Sequence, residues 1–301
     1  MIKNNLSRKT NLIIGGGGLK GLCFLGALSE IFKIYDYKNF KSFSGCSIGS
    51  FIIVSLIIGY TIEDLQKFFI DVDLVKFTEY KLTNIFDIYG FDNGTKGNNL
   101  LKAIFVTKDV DPDITFIDFH EKFKKVVYIV GSNISKEIVE YFSHITHPNM
   151  KVIDALRISM AVPIMLAPFK YNGDFYVDGC HYESYPIEPF KNSKKNVALI
   201  LDSKSDVEIN SFNIFVKKLI YSVYNYIIKT KFGKNFYNQN DTFYIQHNEE
   251  IDGINLEGDI ESKNNLFKMG VYSVKNIISN NIYQKILIKR AFRVLSNYTE
   301  D

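Results

Sequence analysis

The chain has 301 residues, 46% of them apolar, enough to bury a sizeable core, and no Pro/Gly/Ser-rich linker or charge block divides it, so a single domain spanning 1–301 is expected. Its 36 basic and 33 acidic residues leave a formal charge of +3, too balanced for a nucleic-acid-binding protein, so no nucleic acid partner is expected. The three cysteines, Cys23, Cys46 and Cys180, are an odd number without metal-like spacing; neither a disulfide framework nor a zinc site is expected, which suits a reducing, cytoplasmic setting.

The start of the chain, 1–10, is polar and basic and does not read as a cleavable signal peptide. The longest apolar run, Phe51 to Ile58, is far short of a membrane span, so the protein is expected to be soluble or at most peripheral to a membrane. Asn11-Leu12-Ile13-Ile14 reads as a short strand that ends in Gly15-Gly16-Gly17-Gly18, after which Leu22, Leu25, Leu28 and Ile31 recur at helical spacing. Four consecutive glycines are costly in backbone entropy, and unobstructed amides at such a loop are ready donors for a negative oxygen. Gly16, Gly18 and Gly21 also satisfy Gly-x-Gly-x-x-Gly, so a nucleotide-binding protein is an alternative. That reading wants an acid closing the second strand, whereas the next strand candidate, Lys41 to Ser44, runs into Gly45-Cys46-Ser47-Ile48-Gly49.

This pentapeptide has the order of a nucleophile elbow: strand, serine on a tight turn, helix. Gly45 and Gly49 are small enough to let strand and helix close on each other. The helix after Ser47 aims its N-terminal dipole at the serine. Glycine loop and elbow would thus close successive strands at one sheet edge, the first supplying donors and the second a hydroxyl.

From Thr61 an amphipathic helix follows, with Thr61 as its cap and Ile62, Leu65, Phe68, Phe69 and Val72 on one face. Lys81 to Asn99 lacks periodicity and reads as a cover over a site or a long surface loop, with helix resuming over Asn99 to Val106. Lys125 to Gly131 reads as a central strand, Ile138 to Phe142 as a shorter one, and Val152 to Ser159 as a helix. Phe175-Tyr176-Val177 is a strand closing on Asp178-Gly179, and Asn196 to Leu201 another, ending in Asp202. In the last third, Phe212 to Ile228 is an aromatic and basic helix that either packs on the core or lies on a membrane; Thr242 to Gln246 is a strand and Leu266 to Leu295 a helix. A histidine-dependent triad would need a histidine late in the chain. Of the five present, His181 is too close to Asp178 and His247 has no supporting motif, while His120, His144 and His147 precede the acid.

Taken together, Gly16-Gly17-Gly18-Leu19-Lys20-Gly21, Gly45 to Gly49, Arg157-Ile158-Ser159-Met160-Ala161-Val162-Pro163, Asp178-Gly179 and Tyr185-Pro186-Ile187 resemble, in order, the motifs of the patatin-like phospholipase family, with a weaker echo at Phe267 to Val274. The resemblance covers Leu12 to Ser279. It implies an α/β protein, a three-layer α/β/α fold with a mostly parallel central sheet, its core over 12–203 and a C-terminal helical extension over 207–301 packed on it. It also implies a phospholipase A-type serine hydrolase working through a Ser-Asp dyad: Ser47 as nucleophile, Asp178 as general base, Gly16, Gly17, Gly18 and Ile48 at the oxyanion hole, and Lys20, Gly21, Gly45, Gly49 and Gly179 as supporting motif positions. Its implied substrate is a phospholipid or other acyl lipid met at a membrane by peripheral contact, with no metal and no cofactor. Cys46 stands where many members carry Thr, Cys180 where Gly or Ala is usual, and Ile158 where Ala is usual; these departures bear on substrate fit more than on chemistry. A catalytically silent lipid-binding or scaffold protein on the same fold is the other reading.

Overall fold

Strand β1 (Asn11–Ile14) is buried at every position, as a strand covered on both faces must be. In a computed structural model, which describes residues 9–202, 208–232, 242–246 and 259–296, it lies between two parallel neighbours, β2 (Ser42–Gly45) and β9 (Asn196–Asp202). Helix α1 (Gly21–Ile34) makes the crossover from β1 to β2. Beyond β9 lies β10 (Thr242–Gln246), also parallel, and beyond β2 lies β4 (Val126–Asn133). The sheet then turns antiparallel through β8 (Asp174–Asp178) and β7 (Phe169–Tyr171), giving the order β10-β9-β1-β2-β4-β8-β7. β4 runs on past β2, and its final stretch also pairs with β5 (Ile138–Phe142). The mostly parallel α/β sheet is the one expected.

Strand alternation sends Leu12, Ile14, Phe43, Val127, Ile129 and Leu199 to one face, where they form the main core with α1, α2 (Ile48–Ile57) and α9 (Ile260–Ser296). Full burial of each such side chain contributes about 1.5–3 kcal/mol. Ile13, Ala198 and Ile200 point the other way and pack against Tyr185, from the segment that follows β8. α1 and α9 meet backbone to backbone: a Cβ on Gly26 would fall 1.9 Å from the Phe267 carbonyl oxygen, and one on Gly270 1.9 Å from that of Cys23. The late segment Phe267 to Val274 thus packs on the first helix.

The expected helix at Thr61 forms as α3 (Ile62–Asp71), closed by a reciprocal capping box between Thr61 and Asp64. Lys81 to Asn99 differs from expectation. It folds as a short helix α4 (Asn84–Asp87) and a strand β3 (Gly90–Asp92), and α5 (Thr95–Val106) begins earlier than the periodicity suggests. β3 pairs in parallel with β6 (Ile164–Leu166) in a separate two-stranded sheet, both strands too short to leave a pattern in sequence. Helix α6 (Phe116–Phe123) and the helix α7 (Val152–Ser159) complete this half. The helix α8 (Phe212–Phe232) buries Val216 and Ile220 but leaves Phe215, Leu219 and Tyr226 exposed, so only one of its apolar stripes is packed. Among the described residues no helix is long and apolar enough to cross a membrane.

Candidate active site

Because β1 and β2 are parallel neighbours with Ile14 opposite Gly45, the glycine loop and the Ser47 turn leave the sheet side by side. α2 starts immediately after the serine and approaches β1 closely: a Cβ on Gly49 would stand 2.4 Å from the Ile14 carbonyl oxygen, and one on Gly45 2.5 Å from Ser50 Cα. This squeeze holds Ser47 at φ 51° and ψ −126°, a conformation L-residues avoid, at a cost of about 1–3 kcal/mol. The Ser47 N–H donates to Ser159 Oγ at 2.9 Å, which ties the turn to the end of α7.

Ser47 Oγ donates to Asp178 Oδ2 at 2.7 Å, joining residues 131 positions apart. β4 makes the meeting possible. It pairs with the elbow strand at Ile129 and with the aspartate strand at Gly131, opposite Asp178. Asp178 is fixed from every side: its Oδ1 accepts the Cys180 N–H at 2.8 Å, its N–H donates to Ala161 O at 2.8 Å, and its carbonyl accepts Ser132 Oγ at 2.9 Å. Burial pushes its carboxyl up to about 6, and the hydrogen bonds from the Cys180 N–H and the Ser47 hydroxyl pull the other way. A carboxylate near that value is a far better proton acceptor than a solvated one and is still ionised at neutral pH.

In the glycine loop, Gly16 donates its N–H to Ser184 O at 3.4 Å. The N–H groups of Gly17, Gly18 and Ile48 have no acceptor among the described residues. Gly18 takes φ 55°, which only glycine adopts without strain. Gly21 packs against the Ile48 side chain, Gly179 against the Val130 carbonyl, and Lys20 faces the same cavity as the loop.

That cavity has a volume of about 300 Å³ and takes in Ser47, Asp178 and Gly16 to Gly18; much of the remaining wall is apolar, with Phe51, Phe68, Phe69, Leu101, Ile104 and Met160. An acyl chain suits such a wall. One side is built by Leu74 to Tyr80 and α5, which Arg157 and Asp92 anchor. Arg157 is buried and donates to Ala167 O at 3.0 Å and Asn93 O at 3.3 Å. Asp92 accepts the N–H groups of Glu79 and Gly94, each at 2.7 Å. Burial lowers the Arg157 guanidinium to about 10, against the pull of Asp92.

Among the described residues no imidazole bonds to Ser47. His181 is half-buried and lowered by that burial, His120 and His144 stack on each other at 3.8 Å, and His147 faces Glu140 at 3.4 Å; His247 lies outside the described residues. The dinucleotide reading of Gly16, Gly18 and Gly21 finds no acid at the end of β2, where Gly45 and the serine turn stand instead. Sequence reading missed what the supports do: Ser132 and Asp92 are ordinary residues until the fold brings them to Asp178 and Arg157, and Ser159, although part of the family-like stretch from Arg157 to Pro163, has no role until the fold sets it against Ser47. It also missed that Cys46 and Cys180 meet, Sγ to Sγ at 3.0 Å. With Asp178 they offer three potential metal ligand atoms within 4.8 Å of one another. The fit to a metal is poor, because two sulfurs about 2.3 Å from a tetrahedral zinc stand roughly 3.8 Å apart.

Comparison with known proteins bears on these features. The model of the patatin-like phospholipase family matches residues 12–191, which hold the glycine loop, the serine turn and Asp178. An uncharacterized protein of Acanthamoeba polyphaga mimivirus is 28% identical over 286 residues, covering 90% of this chain and 94% of that one. A probable lipid hydrolase of Invertebrate iridescent virus 6 is 32% identical over 185 residues, covering 59% of this chain and 61% of that one. The crystal structure of VipD from Legionella pneumophila superposes with a TM-score of 0.68 at 14% identity, over 91% of this chain and 67% of that one, a likeness of fold. The family match over most of the chain settles its membership: it belongs to the patatin-like phospholipases, a family of lipid hydrolases.

Proposed function

We propose that the chain is a phospholipase A-type hydrolase that cleaves fatty acyl esters through an acyl-serine, with Ser47 as nucleophile and Asp178 as general base. The observation that carries this reading is the 2.7 Å bond from Ser47 Oγ to a buried carboxylate at the edge of an apolar cavity. As Ser47 attacks the ester carbonyl, its proton passes directly to Asp178. The oxygen that becomes negative is met by the N–H groups of Gly17, Gly18 and Ile48 and by the N-terminus of α2. Each important donor of this kind contributes about 3–4 kcal/mol to lowering the barrier. Asp178 then returns the proton to the departing alcohol, and in the second half it takes a proton from the attacking water and passes it to Ser47 Oγ as the acyl bond breaks and the fatty acid leaves. The cavity wall holds the acyl chain, and no cofactor enters the scheme.

The reading includes a single domain, with α9 docked on α1, and peripheral contact with a membrane. Leu82 and Phe86, on and beside α4, are 79% and 84% exposed, and Tyr80 links them to the cavity wall. On α8, Phe215, Leu219 and Tyr226 are exposed while Tyr224 and Asn225 line the cavity. Two sets of exposed apolar side chains therefore belong to elements that line the cavity, an arrangement suited to a bilayer that delivers substrate. The test is labelling by a fluorophosphonate, compared between wild type and Ser47→Ala, with mass analysis of products from mixed phospholipids. Wild type should label and release fatty acid, and Ser47→Ala should do neither; labelling that survives in Ser47→Ala would refute the assignment.

A further inference from the structure

Cys46 and Cys180 form a small buried cluster with Val130, set apart from the main core. Cys46 immediately precedes Ser47. Cys180 follows Asp178 by two positions, and its N–H is the donor that holds Asp178 Oδ1 at 2.8 Å. The Cys180 sulfur also lies under the glycine loop, 2.0 Å from where a Cβ on Gly16 would be. The two sulfurs, 134 positions apart in sequence, are thus in contact at the point where serine turn, aspartate turn and glycine loop meet.

We propose that Cys46 and Cys180 are a redox modification site, a dithiol that a hydroperoxide converts to a disulfide and that thereby switches the Ser47–Asp178 pair off. The proposal rests on the catalytic reading of that pair. Cys180 reacts first: it lines the cavity and is 6% exposed, whereas Cys46 is fully buried. Its sulfur attacks one peroxide oxygen, the O–O bond breaks, and the thiol proton leaves with the other oxygen as an alcohol, or as water from hydrogen peroxide. Cys180 is then a sulfenic acid. The Cys46 sulfur attacks it, the S–S bond forms, and the hydroxyl leaves with the Cys46 proton as water. Two thiols lose two electrons and one peroxide bond gains them.

Closure draws the sulfurs from 3.0 Å to about 2.05 Å. A movement of about 1 Å displaces the backbone donor of Asp178 and the floor of the glycine loop, and catalytic constellations tolerate only about 0.5 Å. In the reduced state burial pushes the Cys46 thiol up to about 11, and its contact with Cys46 together with burial pushes Cys180 up as well. Both rest as thiols, so oxidation is slow and needs sustained peroxide. Cys23, buried beneath α9, serves as the internal control.

The test treats the full chain with hydrogen peroxide, maps cysteines by peptide mass after alkylation, and measures fluorophosphonate labelling before and after dithiothreitol. The expected result is a Cys46–Cys180 cross-link in step with at least a tenfold loss of Ser47 labelling, both reversed by dithiothreitol. Cys46→Ser and Cys180→Ser should each keep their own untreated labelling after peroxide, while Cys23→Ser should respond as wild type does. The cross-link is read by mass and does not depend on catalysis, so a chain that never labels leaves the mapping informative. Absence of the cross-link, or a cross-link without loss of labelling, overturns the proposal. Should the serine variants fail to fold, mapping and reversal on wild type decide it.

Discussion

The two halves of the candidate site are built on opposite physics. Around Ser47 and Asp178 the polar atoms that position the pair are engaged: the serine N–H by Ser159, the serine hydroxyl by Asp178, and the carboxylate by Cys180. The backbone there is held in a strained conformation by packing. Around α4 the arrangement is reversed, with Leu82, just before the helix, and Phe86, on it, both largely exposed to water. The contrast separates chemistry from access. On the proposed function, a proton transfer needs fixed distances, which residues tied to the sheet supply, and admission of a lipid needs an apolar surface, which exposed side chains such as these would supply.

The largest effect should come from breaking the fixed half. Asp178→Asn is expected to lower the rate of fluorophosphonate labelling by about 10³-fold or more while keeping the fold. In wild type the labelling rate should rise with pH through an inflection near 6, where Asp178 loses its proton. The same ionisation weakens the fold. The folded value is about 6 against about 3.9 unfolded, so between these the folded state holds more protons, and stability contributed by this group falls as pH rises through that window. Asp178→Asn should therefore gain in thermal midpoint over wild type at about pH 7.5 relative to about pH 4. An equal difference at both pH values would mean that the carboxyl is not raised.

A smaller effect is expected from the access half. Leu82→Asp combined with Phe86→Asp should cut fatty acid release from phospholipid vesicles about a hundredfold, and far less from a soluble short-chain ester, since each side chain inserted in a bilayer is worth at least about 1.5 kcal/mol. Equal losses on both substrates would place these residues in folding instead of lipid contact. Smallest is the release of strain at the serine turn. Ser47→Gly and Ser47→Ala lose the same hydroxyl, yet the glycine variant should be more stable by about 1 kcal/mol in denaturant titration, because only alanine retains a side chain at φ 51°. A glycine variant no more stable than the alanine one would show that the turn is unstrained.

Much of the fixed half was legible before any fold was known. A glycine run after a short apolar strand, and a serine flanked by Gly45 and Gly49 before an apolar helix, are local patterns whose backbone requirements show in the residues themselves. Asp178 was weaker, since Asp-Gly alone marks many turns, and it stood out only by resemblance to a family. The access half was less legible. Lys81 to Asn99 carries no periodicity, yet it folds, because β3 pairs with β6 and because Arg157 and Asp92 pin its backbone from within. Strands of three residues and isolated buried side chains such as Arg157 and Asp92 have no signature that repeats along a chain.

Chain composition and local order were enough to lead one to expect an α/β sheet, a glycine loop and a serine turn at its edge, and capped helices such as the one at Thr61. Those features depend on backbone preference and on side-chain period, which act over a few residues. The 2.7 Å contact of Ser47 with Asp178, the raised carboxyl, the supporting bonds of Ser159 and Ser132 and the meeting of Cys46 with Cys180 were decided only by the fold. Each joins residues far apart in sequence. Their distances are set by the order of strands β1, β2, β4 and β8 and by what is squeezed between them, a property of the packed sheet that no stretch of sequence contains.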